Sequence, residues 1–232
     1  ITMAINPQIT KNYSSGNMKE SVSLVFIGCR ASFYMLTLIV VPFVVNVDYV
    51  LELWLGKVPE NTSLFLYFIL GVALIYSLSQ PITVAIQATG EIKAFQIWIF
   101  SLMLLEVCLT YIVLWLTGSL VYALVPSVVV NLFSVVVRMV LVKKKVGEYS
   151  FRLYASDVVL RCFVVLAFSF LVAILIHRMI EYEVFVVFLG ECMILALSTT
   201  MVIFLLGLNR DEKNLLVSKL TKSVKRINGK RL

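Results

Sequence analysis

The chain has 232 residues, of which 61% are hydrophobic and only 14% are charged, and its mean hydropathy is +0.99. This composition excludes a water-soluble fold of the same length, because a soluble fold needs a polar face on each of its elements. The net charge of +7 does not indicate nucleic acid as a partner, since the basic residues lie between and after the apolar blocks. The predicted solvent is therefore the lipid bilayer.

Six apolar blocks, each close to the ~20 residues that cross a bilayer, predict six transmembrane helices in an all-α, polytopic membrane bundle. We place the spans at residues 31–47, 63–87, 94–116, 120–142, 158–176 and 184–208. The predicted domains are a cytoplasmic segment with an amphipathic helix (1–30), four transmembrane helices (31–142), a basic cytoplasmic loop (143–157), two additional transmembrane helices (158–208) and a basic cytoplasmic tail (209–232).

The lysine and arginine residues predict the orientation of these spans. Basic residues resist translocation across the membrane, so they accumulate in cytoplasmic connections. Eighteen of the 20 lie in alternate connections, and only Lys57 and Arg178 lie in the opposite ones. The asymmetry predicts that both termini are cytoplasmic, and that the connections near Asn61 and Glu181 face outward.

The sequence contains no recognisable metal-binding or catalytic pattern. Its four cysteines are far apart and lie in or beside apolar blocks, and His177 is the single histidine. We interpret the cysteines as small buried hydrophobic residues. No enzyme activity, no catalytic residue, no metal and no cofactor is predicted.

Polar side chains inside the predicted spans are the informative part of the sequence, because they are costly in hydrocarbon. One stripe runs along the second span and another along the fourth, each with the three- and four-residue spacing of one helical face. Two interpretations stay open: a water-filled cavity lined by both stripes, or hydrogen bonding between packed helices. The stripes consist of Tyr76, Gln80, Thr83 and Gln87, and of Ser127, Asn131, Ser134 and Arg138.

Two kinds of charged residue lie in or beside the spans. Glu106, near the middle of the third span, is a candidate for ion coupling or a neutral carboxyl that joins two helices. Arg30 and Arg138 lie near the predicted inner ends of their spans, where arginine either snorkels to the headgroups or binds phosphate. Arg138 is the stronger phosphate candidate because it ends a polar stripe. Pro42, Pro81 and Pro126 are predicted to bend the first, second and fourth spans.

Three stretches carry a resemblance to a known family: Asn6-Pro7-Gln8-Ile9 with Tyr13-Ser14-Ser15-Gly16-Asn17, then Tyr49-Val50-Leu51-Glu52-Leu53-Trp54-Leu55-Gly56, and Pro81-Ile82-Thr83 with Ala85-Ile86-Gln87-Ala88-Thr89-Gly90 and Ile92-Lys93. In these stretches the sequence resembles the polysaccharide (O-antigen) flippases of the multidrug, oligosaccharidyl-lipid and polysaccharide exporter superfamily. The resemblance implies that the chain corresponds to the last six of about fourteen spans.

This resemblance implies a function, a partner and a location. The expected cargo is an undecaprenyl-diphosphate-linked oligosaccharide, moved across the bacterial cytoplasmic membrane for surface polysaccharide synthesis. The expected partners are membrane lipids, this cargo and an N-terminal bundle of the same transporter. The candidate substrate-binding residues are Arg138, Arg30, Asn131, Ser134, Gln80, Thr83 and Gln87, and Glu106 is the ion-coupling candidate.

Three alternatives remain. A drug or metabolite exporter of the same superfamily would share the fold, with more acidic residues in its cavity. A membrane enzyme of polysaccharide assembly would need a larger outer loop or a histidine-containing site. A membrane scaffold that does not transport is the third.

Overall fold

A computed structural model of the chain describes residues 2–90, 92–179, 185–209 and 212–214. Within these residues every regular element is helical. The elements are α1 (Thr2–Ser14), α2 (Met18–Val45), α3 (Val47–Leu55), α4 (Thr62–Ser77), α5 (Gln80–Ala88), α6 (Ile92–Thr117), a 3-10 turn (Tyr122–Leu124), α7 (Val125–Lys145), α8 (Phe151–Tyr154), a π turn (Ala155–Leu160), α9 (Arg161–His177), α10 (Phe185–Val202) and a second π turn (Ile203–Gly207).

The predicted all-α bundle with six spanning helices is confirmed. Six helical segments of the described chain are long and apolar enough to cross a membrane: Met18–Val45, Thr62–Ala88, Ile92–Thr117, Tyr122–Lys145, Phe151–His177 and Phe185–Gly207. We refer to them as the first to the sixth span. The protein is therefore a multi-pass membrane protein by the length and composition of its helices.

The first span is the centre of the packing. It contacts α1, both halves of the second span, α9 and α10, whereas the third span packs mainly on the fourth. Gly28 allows the close approach of the first span to the second, because a Cβ atom at this position would lie 3.2 Å from the Pro81 ring. The third span leaves most of its apolar surface exposed, which suits a helix that faces lipid or another bundle.

Several helices extend beyond the apolar blocks of the sequence. The N-terminal segment forms a packed helix, α1, in which Ile9 is fully buried, and α2 begins at residue 18 rather than near residue 31. The fifth helical segment begins at Phe151 and takes up part of the predicted basic loop. Its charges are tolerated because Asp157 and Arg161, four residues apart, pair at 2.9 Å.

The prolines do not all act as predicted. Pro81 divides the second span into α4 and α5, because proline lacks an N–H donor and its ring clashes with the preceding helical turn. Pro42 lies inside α2, three residues before its last residue, Val45. The prediction that Pro126 interrupts the fourth span is wrong. Pro126 lies in the first turn of α7, where its missing donor has no helical partner to lose.

The connection between α2 and the second span contains the short helix α3. Val47 and Leu51 are buried, while Trp54 is 79% exposed. An amphipathic segment with an exposed indole suits the membrane interface. The predicted basic cytoplasmic tail, residues 209–232, lies almost wholly outside the described residues, and so does Glu181.

Candidate functional site

The polar stripes of the second and fourth spans meet at the break between α4 and α5. Ser79 lies in this break, and its hydroxyl oxygen accepts a hydrogen bond of 2.6 Å from Nη1 of Arg138. The guanidinium also lies 5.1 Å from the centre of the Tyr76 ring, within the range of a cation–π interaction. Arg138 is therefore held at a helix break by groups that carry no negative charge.

Arg138 is only 5% exposed, so it does not snorkel into lipid from the outside of the bundle. Its Nη1 also contacts Ser134 Oγ at 3.3 Å, and its Nε is buried with no hydrogen-bond partner. Among the described residues no carboxylate forms an ion pair with it. A buried cation that lacks both a counterion and a full set of acceptors is unusual and costly, which marks it as a functional candidate.

The helix break is closed by its neighbours rather than left open. The hydroxyl of Tyr154, at the start of the fifth span, donates to the carbonyl of Leu78 at 2.9 Å. Ser77 and Ser79 donate back to the carbonyls of Leu74 and Tyr76. These bonds satisfy backbone groups that the break releases, as a membrane helix requires. The break is thus a built feature that presents Ser79 to Arg138.

The remaining candidates of the second span are spread along it. Gln80 donates to the Tyr76 hydroxyl at 2.7 Å, one turn away on the same face. The hydroxyl oxygen of Thr83 is buried without a partner. Gln87 is exposed near the end of α5. Gln80 is linked to Arg138 through a shared neighbour, Tyr76. Thr83 is linked to it through Ser79, whose carbonyl accepts a hydrogen bond of 3.4 Å from the Thr83 N–H.

The candidates of the fourth span mainly bond to their own helix. Asn131 donates to the carbonyl of Ser127 at 2.9 Å, and Ser134 donates to the carbonyl of Asn131 at 2.9 Å. Among the described residues the two stripes meet in the cation–π contact between Arg138 and Tyr76, beside the Arg138–Ser79 hydrogen bond. In the described part of the chain, therefore, the stripes pack together at Arg138, and the cavity between them remains a prediction for a larger assembly.

Glu106 joins the third span to the fourth. One of its carboxylate oxygens accepts a hydrogen bond of 2.6 Å from the Ser127 hydroxyl. Both residues line an open cavity of about 150 Å³, whose other walls are mainly apolar. Glu106 thus forms a contact that joins two helices, and its side chain also borders an open cavity. Both interpretations of Glu106, a structural carboxyl and an ion-coupling site, therefore stay open.

Arg30 lies in a different place from Arg138. Its guanidinium forms an ion pair with Glu212, which follows the sixth span, and donates to the carbonyl of Asp157 in the fifth span. Asn209 accepts from Arg161, and its backbone N–H donates to Glu212 at 2.9 Å. We call the set of residues Arg30, Asp157, Arg161, Asn209 and Glu212 the Arg30 network. The structure thus separates the two arginines that the sequence grouped as candidates.

Two contributors to the Arg138 site were missed from the sequence. Ser79 was not among the predicted site residues, although it lies three residues after Tyr76 and four before Thr83 and so shares the spacing of the stripe. Tyr154 was not among them because it lies in the predicted loop, residues 143–157. The run Ser77-Leu78-Ser79 before Gln80-Pro81 was the available signal, since hydroxyl side chains often satisfy the backbone around a proline in a membrane helix.

No family model matches the sequence, and comparisons with curated proteins and with solved structures give no match.

Proposed function

We propose that this chain takes part in moving lipid-linked oligosaccharide across the bacterial cytoplasmic membrane, with Arg138 binding the diphosphate of the carrier lipid. The observation that carries the proposal is the buried guanidinium of Arg138, which has no counterion among the described residues and an Nε without an acceptor. A diphosphate would supply the missing negative charge and acceptors, and the planar guanidinium matches two phosphate oxygens.

The wider setting supports the same proposal. The three motif stretches resemble polysaccharide flippases, and a helix broken by proline beside a buried charge is a common arrangement in transporters. The proposal includes an N-terminal bundle of the same transporter as the partner that completes the cavity. Glu106 is the proposed site of ion coupling, since it is a carboxylate in a span that borders a cavity.

The test replaces Arg138 in the transporter that contains this chain, expressed in cells whose surface polysaccharide depends on it. We expect Arg138→Lys to reduce flipping and Arg138→Gln to reduce it about tenfold or more, because a lost charge-assisted contact exceeds ~1.4 kcal/mol. Arg152→Gln is the matched control, since Arg152 is an exposed arginine in the predicted cytoplasmic loop (143–157) that follows the fourth span. Surface polysaccharide at equal protein level is the measurement.

A structural role for Arg138 makes the opposite prediction for stability. If the guanidinium only holds the helices together, Arg138→Met lowers the free energy of unfolding. If it is kept for the cargo, the same change leaves stability unchanged or raises it, because a buried charge without a counterion is removed. Normal surface polysaccharide from the Gln variant, or a large loss of stability in the Met variant, contradicts the phosphate role.

The proposed orientation has its own prediction. Reporter enzymes that act only outside the cytoplasm are expected to be active when fused at Asn61 or Ser119, and inactive when fused at Gly147. The reason is the concentration of lysine and arginine in the connections that contain Gly147 and the two termini. A cytoplasmic reading at Asn61 or Ser119 would overturn the orientation.

A further inference from the structure

Glu191, on the sixth span, is a membrane carboxylate that the proposed function does not use. Its side chain is fully buried where α10 packs on the first span and on α9. One of its oxygens, Oε1, lies 2.8 Å from Nδ1 of His177, the last residue of α9. The His177 side chain is 35% exposed, so it connects the buried carboxylate with the surface of the bundle.

The second oxygen of this carboxylate lacks a hydrogen-bond donor. Oε2 of Glu191 is buried without a partner, and so is Oδ1 of Asn46, which follows the first span at the same end of the bundle. Two buried acceptors without donors are costly in a membrane interior. A proton added to Oε2 converts one of these acceptors into a donor and removes the net charge of the carboxylate.

Deeper in the same interface, the next helical turns are apolar. Val41, Ala173 and Leu195 form a fully buried cluster, and Leu195 and Ala173 lie one turn further from the surface than Glu191 and His177. Beyond them lie the buried hydroxyls of Ser169 and Thr199. The apolar layer separates these hydroxyls from Glu191. A proton therefore reaches the carboxylate from the end at which His177 is exposed.

From this geometry we propose that Glu191 and His177 form a proton-binding site that exchanges with the end of the bundle where His177 lies, the end predicted to face outward. The pair holds one proton between Oε1 and Nδ1 and takes a second proton from outside. The extra proton changes the charge at the junction of the first, fifth and sixth spans.

In the described part of the chain, groups from α9, α10, α3 and the first span lie around this site. His177 is the titratable side chain that the fifth span contributes, and Cys192 is the neighbour on α10 itself. From α3, the Tyr49 ring packs 4.7 Å from the ring of Phe188, one turn before Glu191. Asn46 from the first span is neutral. In the part of the chain that the structure describes, no lysine or arginine pairs with Glu191.

The test is an infrared difference spectrum between alkaline and acidic medium, recorded on the full chain in lipid nanodiscs. We expect a protonated-carboxyl band that is lost in Glu191→Gln and kept in Glu52→Gln, which replaces an exposed carboxylate of α3. We also expect the pH dependence of the band to differ in His177→Leu, because Oε1 of the carboxylate then loses its hydrogen-bond partner. This readout does not depend on transport, so it separates the site from the proposed flippase function.

Three outcomes would overturn the site. The first is the same spectrum for the wild type and Glu191→Gln. The second is the same pH response for the wild type and His177→Leu, a variant that changes a partly exposed side chain and so tests the pair even if the Gln variant does not fold. The third is loss of the band on addition of Na⁺ at constant pH, which would assign the site to a metal cation.

Discussion

Glu212→Gln is expected to lower the free energy of unfolding by about 3 kcal/mol or more, although it only replaces one carboxylate oxygen with an NH2 group. The carboxylate of Glu212 is the counterion of Arg30, which is 95% buried on the first span. Removing one partner of a buried pair leaves the other charge uncompensated, and this costs ~3–5 kcal/mol. Denaturant titration in detergent micelles is the measurement.

The Arg30 network also provides a control for this prediction. Replacing both partners, in the double variant Arg30→Met with Glu212→Met, removes the uncompensated charge, so we expect stability close to that of the wild type. Glu148→Gln removes an exposed carboxylate near the same end of the bundle and is expected to change stability by less than ~0.5 kcal/mol. Equal effects of Glu212→Gln and Glu148→Gln on the free energy of unfolding would show that the Arg30 network contributes nothing to stability.

The spans were predictable from the sequence because length and hydrophobicity are sufficient to identify a membrane helix. The bilayer imposes a minimum apolar length, and the six apolar blocks satisfy it without any knowledge of packing. Apolar length and hydrophobicity do not indicate where a helix ends outside the membrane. The fifth helix therefore starts at Phe151, before the apolar block, because Asp157 and Arg161 neutralise each other.

The candidate site was predictable only in part, for a related reason. Helical spacing places Arg138 and Ser134 on one face, and this prediction needs nothing beyond the chain itself. Spacing does not report which residue of another helix meets that face. Ser79 and Tyr154 come to the site through the break at Pro81 and through the packing of the fifth span.

Arg30 is a second example of a residue whose partners could not be predicted from helical spacing. From the sequence it resembled Arg138, since both lie near a predicted inner end of an apolar span. Their difference arises from partners that are distant along the chain. Glu212 lies 182 residues after Arg30, whereas the partners of Arg138 among the described residues are hydroxyl groups and a ring. Long-range pairing of this kind leaves no periodic signal in the sequence.

Gly207→Ala is expected to destabilise the protein by ~1–3 kcal/mol, whereas Gly190→Ala on the same span is expected to be neutral or slightly stabilising. A Cβ atom at Gly207 would lie 2.9 Å from Cζ of Tyr34. The Tyr34 ring is only 5% exposed, and its hydroxyl donates to the Gly207 carbonyl at 3.1 Å, so the ring cannot withdraw easily. Such overpacking forces strain into the first and sixth spans.

Gly190 isolates this steric effect from helix propensity. A Cβ atom at Gly190 meets nothing within 4 Å, so alanine there gains only the propensity difference of up to ~1 kcal/mol. Combining Gly207→Ala with Tyr34→Leu is expected to cost less than the sum of the two single changes, because the shorter side chain makes room for the methyl group. Thermal unfolding in detergent micelles measures all four variants. Strict additivity, or equal stability of the two alanine variants, would mean that Tyr34 does not limit the approach of the sixth span to the first.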